Sequence, residues 1–413
     1  FNLETDLLRL LIEMRWKGVR VDLDKAEKTK KYFKAEEEKI YRNIKKETGI
    51  KIDESDIYTA ASLQKVFDQL GEKYERTQIN NQAKISNEAM RESKNPLIQS
   101  LSVAREYNKA HTTFIDSILK HQVDGRIHAE INQLKGEYGG TVSGRLSMNN
   151  PNLQQVPARN EAIGPKIRSL FLPEEGHKWA SLDYSQQEPR LLVHYAKKHG
   201  LEGADTLIKF FHEGKDFHQV TADMAQISRK EAKTIGLGLM YGMGIAKLAA
   251  SLDISPDQAK ALKQKYNDNV HFLNNIIIKA TRYTEQYGYI TTLLGRRCRF
   301  ELYENKDFND KRMMSYENAK KTWGWNEIKR AGTYRALNRL IQGSAADQTK
   351  KAMVNLWKDV GVIPMIQIHD ELNVSVANET QVKEIKEIME SAVELHVPVK
   401  CDAEIGDNWG EIK

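Results

Sequence analysis

Apolar positions open the chain as Leu7, Leu8, Leu10, Leu11, Ile12 and Met14, a short apolar element ending at Gly18. Val19 to Asp22 then alternates in the manner of a brief strand. From Asp24, an N-cap residue type, to about Glu47 the pattern predicts one long charged helix. Residues 25–46 hold nine Lys/Arg against four Glu, which fits a solvated face or a phosphate-contacting one. Residues 49–95 are polar with short helical pieces, and a second helix runs from about Pro96 to His121, with Leu97, Leu101, Ala104 and Tyr107 at helical spacing. Between Gly125 and Pro157, Gly, Asn and Ser residues predict strands and turns. Residues 178–183 read as a buried strand followed by a helix to about Lys198; residues 205–290 are helical in pieces, and 330–358 form another long helix. Pro364 to Val376 reads as two strands around a tight turn. A helix carrying Val382, Ile385, Ile388, Met389 and Val393 follows, and then a terminal strand. Helices flanking a small sheet, with helical excursions between its strands, predict an α+β fold.

Composition narrows the class. The 413 residues are too many for one ordinary domain, and 40% hydrophobic with 29% charged residues builds real cores. The net charge of +6 suits a polyanionic partner without identifying one. Cys298 and Cys401, the only cysteines, exclude a disulfide framework and a four-cysteine zinc site. No apolar run approaches the roughly 18–20 residues of a membrane span. No basic-then-apolar leader opens the chain, which begins at Phe1 rather than Met. These features predict a soluble, intracellular, multi-domain protein.

Two places carry candidate chemistry. Asp183 ends an apolar strand at its junction with a helix, and His369-Asp370-Glu371 occupies a hairpin 187 residues later. His-Asp is a poor two-residue turn, where Asn-Gly would supply positive φ cheaply, and such departures concentrate at functional sites. Carboxylates on adjacent strand ends repel unless a divalent cation lies between them, and oxygen-only donors favour Mg²⁺. Each Asp alone also fits an ordinary solvated position. Arg229, Lys233, Leu237 and Tyr241 recur every four residues, a stripe about 18 Å long on a helix. Two cations, an apolar platform and a phenol suit a triphosphate at one end and a base and sugar at the other. Gly236 and Gly238, each costing about 1 kcal/mol mid-helix, argue against a merely structural helix. Neither a dinucleotide fingerprint nor a Gly-x-x-x-x-Gly-Lys-Ser/Thr loop is present.

Asp183-Tyr-Ser-Gln-Gln-Glu-Pro-Arg190, Arg229…Lys233…Tyr241-Gly242 and His369-Asp370-Glu371 resemble, in order and spacing, motifs A, B and C of family A DNA polymerases. Ser143-Gly-Arg-Leu-Ser147, Pro151-Asn-Leu-Gln-Gln-Val-Pro157, Lys166-Ile-Arg168, Leu294-Gly-Arg-Arg297 and Gln342-Gly-Ser-Ala-Ala-Asp347 match between them. The resemblance covers essentially the whole chain, and the double Gln followed by Pro in motif A is more similar to viral members. It implies a right hand: palm at 1–24, 125–205 (with motif A) and 337–413 (with motif C), thumb at 25–124, and fingers with motif B at 206–336. It further implies template-directed addition of deoxynucleotides to a primer 3′-hydroxyl, with primer–template DNA and deoxynucleoside triphosphates as partners. The enzyme is expected to be a monomer, in the cytoplasm of a bacterial cell or a virus-infected host cell. Asp183, Asp370 and the Tyr184 carbonyl would hold two Mg²⁺ ions, for which Mn²⁺ can substitute, and Glu371 would support them. Arg229 and Lys233 would grip the triphosphate, with Lys233 also protonating pyrophosphate, and Gln186 and His218 would join the nucleotide contacts. Glu188, packed on Tyr241, matches a steric gate against a ribose 2′-hydroxyl, although Ser185-x-x-Glu188 also fits a capping box. Arg168 and Gln342 match minor-groove readers; Arg145 and Asn338 would position primer and template, and His369 would contact DNA.

Three departures qualify the resemblance. Leu237 stands where the family usually has an aromatic residue over the incoming nucleotide. Arg335 is one residue out of step with the family's Arg, and no proofreading domain is expected in this chain. Asp402-x-Glu404 lies in the terminal strand and reads as structural. A single-subunit RNA polymerase, a non-catalytic primer–template binder and a Mg²⁺ nuclease are the alternatives; Glu188, the two intact Asp residues and the triphosphate-shaped stripe argue against each in turn.

Overall fold

The opening helix, Asn2–Lys17, turns Leu7, Leu10, Leu11 and Met14 inward, and Gly18 at φ +65 reverses the chain into strand Val19–Val21. In the computed structural model, residues 2–137, 139–158, 160–307, 309–310 and 312–412 are described. Val19–Val21 pairs antiparallel with Arg126–Ile127 on one side and Phe171–Leu172 on the other. The long charged helix is Leu23–Thr48, and its cap is Asp22 rather than Asp24: the Asp22 carboxylate accepts the Lys25 N–H at 2.8 Å. Ala26, Phe33, Glu37, Tyr41, Ile44 and Thr48 form its buried stripe, which leaves most of its lysines in solvent. It packs on Pro96–Lys109, which has Asn95 as cap and Pro96 in its first turn, and which widens into a π-helical turn at Ala110–Ile115. Residues 41–104 supply a separate small core around Ile57, Leu63, Phe67 and Leu101.

A second sheet organises the rest. Strand Lys178–Tyr184 is its centre, flanked antiparallel by Glu371–Val376 and Cys401–Gly406, with Ile366–Ile368 outermost. The burial alternates little along the central strand because both faces are covered. Helix Ala336–Val360 packs against helices Asn2–Lys17, Gln187–Lys198 and Glu379–Ser391. It begins six residues later than its pattern suggested. Gly332, in the left-handed region at φ +68, stops the helix from extending back through the short strand Ile328–Arg330. The long helix buries Asp347 and Lys350, which is tolerable because Glu4, Arg296, Asp347 and Lys350 neutralise one another. A third, helical body from Ala204 to Tyr287 shares an apolar core with Gln187–Lys198 and the start of the long helix.

Between Phe300 and the long helix lies a unit that the apolar pattern did not reveal. Strands Tyr303–Asn305 and Ile328–Arg330 pair antiparallel, and helix Tyr316–Trp323 lies in the excursion between them.

Candidate active site

Cross-strand register brings the acids together. Asp183 is paired with Glu371 on one neighbour and with Asp402 on the other, so three carboxylates line one face in a row. Asp370 is in the turn between Ile368 and Glu371, and its carbonyl accepts the Tyr184 N–H at 3.2 Å. The tight turn requires His369 to adopt φ +57, so the unfavourable His-Asp pair is retained at a cost in backbone strain. Glu371 is oriented by its own sheet: Ser181 Oγ and Asn373 Nδ2 both donate to it at 2.7 Å.

The electrostatics record this crowding. Burial first, and then the charges of Asp370, Glu371 and Asp402, push Asp183 up to about 7. The Asp183 side chain opens on a cleft that solvent reaches, yet protein surrounds it closely enough to desolvate it. Burial raises Asp370 as well, opposed by its own backbone and by Arg145 and His369. Asp402 therefore does more than its place in a terminal strand suggested, because its charge reaches Asp183. The alternation of Asp402 and Glu404 was the available signal.

Glu188 joins two parts of the site. Its carboxylate accepts from Arg145 Nη2 at 2.5 Å and from Tyr241 Oη at 2.6 Å. Burial and Glu188 raise the Tyr241 phenol to about 12. The capping-box alternative for Glu188 does not form: the helix is capped by Gln186 at φ +53, with no side-chain cap bond. Gln186 Oε1 accepts the Phe217 N–H at 2.8 Å instead, which ties the central sheet's helix junction to helix Phe217–Ala225. Gln342 lies beside the Tyr241 hydroxyl, and Asn338 is one turn earlier on the long helix.

The cationic stripe is on helix Arg229–Met240, opened by a Ser228/Glu231 capping box. Arg229 and Lys233 are exposed, while Leu237 is half-buried against the apolar core; Tyr241 comes just past the helix end. Arg229 makes a bidentate pair with Asp216, both contacts at 3.0 Å, a partner that sequence spacing did not reveal. His218 is buried with Nδ1 unpaired, and burial lowers its pKa, with Lys233 and Arg229 adding to the effect. Gly236 and Gly238 have a packing reason. A Cβ at Gly236 would lie 3.0 Å from Tyr266 Oη, and one at Gly238 would lie 3.0 Å from Met243 Sδ. Arg168 stacks on Trp409 at 4.5 Å, with Nε unpaired, and is close enough for Glu371 to influence it.

Another acidic group lies elsewhere: Glu37, Glu54 and His111 cluster beside the charged helix. There Asn108 donates to Glu37 at 2.9 Å and His111 pairs with it at 2.5 Å, so Glu37 is already satisfied by protein. Among the described residues no helix is long and apolar enough to cross a membrane.

An antiparallel sheet presenting clustered carboxylates, faced by a cationic helix and buttressed by a long buried helix, defines the hand-shaped polymerase fold. The POL domain of Pol1 from M. smegmatis, solved with DNA primer-template and dNTP, has this architecture. It matches with a TM-score of 0.78 at 29% identity, over 98% of this chain and 70% of that one. The family model of DNA polymerase family A matches residues 23–411, and the chain belongs to that family. A DNA-directed DNA polymerase of Pseudomonas phage M6 is 35% identical over 99% of this chain and 66% of its own length. The thermostable DNA polymerase I of Thermus aquaticus is 32% identical over 83% of this chain and 40% of its own length. The chain thus spans only part of these relatives. Family A polymerases use divalent metal ions in general.

Proposed function

We propose that this chain is a template-directed DNA polymerase that extends a primer 3′-hydroxyl with deoxynucleotides and releases pyrophosphate, working as a monomer in the cytoplasm. One observation carries the reading: Asp183 and Asp370 meet at the mouth of the sheet, with the Glu188–Tyr241 contact between them and the stripe bearing Arg229 and Lys233. Residues 1–24, 125–205 and 337–413 serve as palm, 25–124 as thumb and 206–336 as fingers.

The donor set suits a hard divalent cation. Asp183 and Asp370 offer carboxylates that repel each other, the Tyr184 main chain is alongside, and the neighbouring thiol of Cys401 is buried against Met389. These residues would hold two Mg²⁺ ions, with Mn²⁺ able to substitute, which supply activation of the hydroxyl and charge neutralisation on the leaving group. Glu371, fixed by Ser181 and Asn373, supports that pair. Arg229 exchanges its Asp216 partner for triphosphate oxygens, and exposed Lys233 delivers a proton to the departing pyrophosphate. Gln186 and His218 hold the nucleotide's flank, and Leu237 gives an aliphatic platform where an aromatic ring would stack. Arg145, Arg168, Asn338, Gln342 and His369 contact primer and template.

Glu188 favours deoxynucleotide synthesis over the RNA polymerase alternative, because a carboxylate fixed by Arg145 and Tyr241 cannot swing aside for a 2′-hydroxyl. The test is extension of a recessed primer–template with deoxynucleotides or ribonucleotides, with Mg²⁺ or with a chelator. Metal-dependent deoxynucleotide addition is expected. Ribonucleotide preference, or extension that survives chelation, overturns the reading.

A further inference from the structure

We propose that the unit formed by strands Tyr303–Asn305 and Ile328–Arg330, helix Tyr316–Trp323 and Trp325, rooted between the Tyr241 end of the fingers helix and the start of the long helix, is a stacking platform for single-stranded template ahead of the site. This rests on the polymerase reading and adds a surface to it. The unit is internally well tied. Arg312 stacks over Trp323, and Trp323 Nε1 donates to Asp310 at 2.9 Å. Tyr303 packs edge-on to Tyr316 at 5.0 Å, and Arg330 anchors the base of the unit through the Phe300 carbonyl.

What remains on the surface has the composition of a nucleic-acid contact. Trp325, one residue past the helix stop at Gly324, is 69% exposed and has no ring or hydrogen-bond partner among the described residues. Lys320 and Lys321, in the last turn of that helix, are exposed and form no ion pair among the described residues. An unpartnered indole that follows two unpaired lysines by four or five residues suits a base to stack and phosphates to neutralise. Continuity with the site selects the occupant. Tyr334 follows the unit and packs on Gly242, where an added Cβ would lie 2.8 Å from its ring, and Gly242 adjoins Tyr241. The unit thus continues from the edge of the site that carries Tyr241 and Gly242, and the occupant it commits to is template strand leaving that edge.

The assay is equilibrium binding to two primer–templates that share a duplex and differ in the 5′ template overhang, a single nucleotide or twelve. The parent should bind the long overhang more tightly. Trp325→Ala and the Lys320→Ala/Lys321→Ala pair should reduce that preference by at least about fivefold, the lower end of a base–aromatic stack. Trp325→Phe should retain it. Binding to the short overhang and its one-nucleotide extension should be unchanged, and equal melting temperatures would confirm that the variants fold. No overhang preference in the parent, its survival in the variants, or an equal loss on both substrates (a duplex grip) overturns the proposal. A parent that prefers the long overhang but extends neither substrate would defeat the polymerase reading while sparing the platform.

Discussion

Truncating Glu188 separates sugar selection from general damage to the site. The side chain is 15% exposed and accepts two short hydrogen bonds, from Arg145 at 2.5 Å and Tyr241 at 2.6 Å. Glu188→Ala removes both and opens a space large enough for a hydroxyl. Hydrogen bonds to a charged group are worth about 1.5–3 kcal/mol each, so Arg145 and Tyr241 lose their orientation and deoxynucleotide addition slows too. Discrimination is therefore read as the ratio of deoxy- to ribonucleotide kcat/KM, in which the shared loss cancels. A pocket that excludes one small group contributes roughly 1–3 kcal/mol, and the ratio should fall about 10- to 200-fold. Glu188→Gln preserves the volume and should leave the ratio near the parent value while weakening the Arg145 contact. Single-nucleotide incorporation on a recessed primer measures both variants. An unchanged ratio in Glu188→Ala, with deoxynucleotide addition still measurable, refutes the gate.

Three further outcomes follow from the geometry. Asp183→Asn should abolish extension and leave primer–template binding largely intact. Because Asp183 is raised to about 7 in the fold, the metal-free parent loses stability as pH rises from about 4 to 7, so the variant should be more stable at pH 8 by about 1–2 kcal/mol after solvent screening; a lower Tm there contradicts the repulsion account. Leu237→Phe should lower the apparent nucleotide KM, since a base–aromatic stack is worth about 1–3 kcal/mol, and an unchanged KM refutes stacking at that position. His194 is buried, accepts the His396 N–H on Nδ1 at 3.1 Å, and is held down to about 4 by burial, then His396 and nearby cations. The unfolded chain takes up that proton first, so about 3 kcal/mol of stability, present above pH 6.5, drains away as pH falls to 4. His194→Leu should flatten this part of the curve, and parallel curves would remove His194 from the explanation.

Much of the hand was legible because its chemistry needs particular residue types at particular spacings. Asp183, Asp370, Glu188 and the 229–241 stripe could be named before any contact was known. Register supplied what spacing could not. Asp402 counts only because an antiparallel neighbour places it opposite Asp183, and Asp216 only because folding brings it to Arg229. Gly236 and Gly238 argued against a merely structural helix, yet Tyr266 and Met243 occupy the space a Cβ would need, so packing accounts for them, which no local pattern encodes. The long helix was extended too far back because helical periodicity runs on through Gly332, whose left-handed backbone stops it. The unit of strands Tyr303–Asn305 and Ile328–Arg330 escaped notice because its strands have three residues each, too few for alternation to register.

The apolar cluster beneath the sheet that carries Asp183 draws on Leu7, Leu10 and Met14 at one end of the chain and on Ile385, Met389 and Cys401 at the other. Glu4 likewise waits for Lys350. During synthesis the local core of residues 41–104 can close as soon as it is made, whereas helix Asn2–Lys17 stays unsatisfied until Ile385, Met389 and Cys401 have emerged. The sheet that presents the clustered acids should thus form after the 41–104 core, and a product stalled between the two would hold a folded helical unit without the acidic cleft.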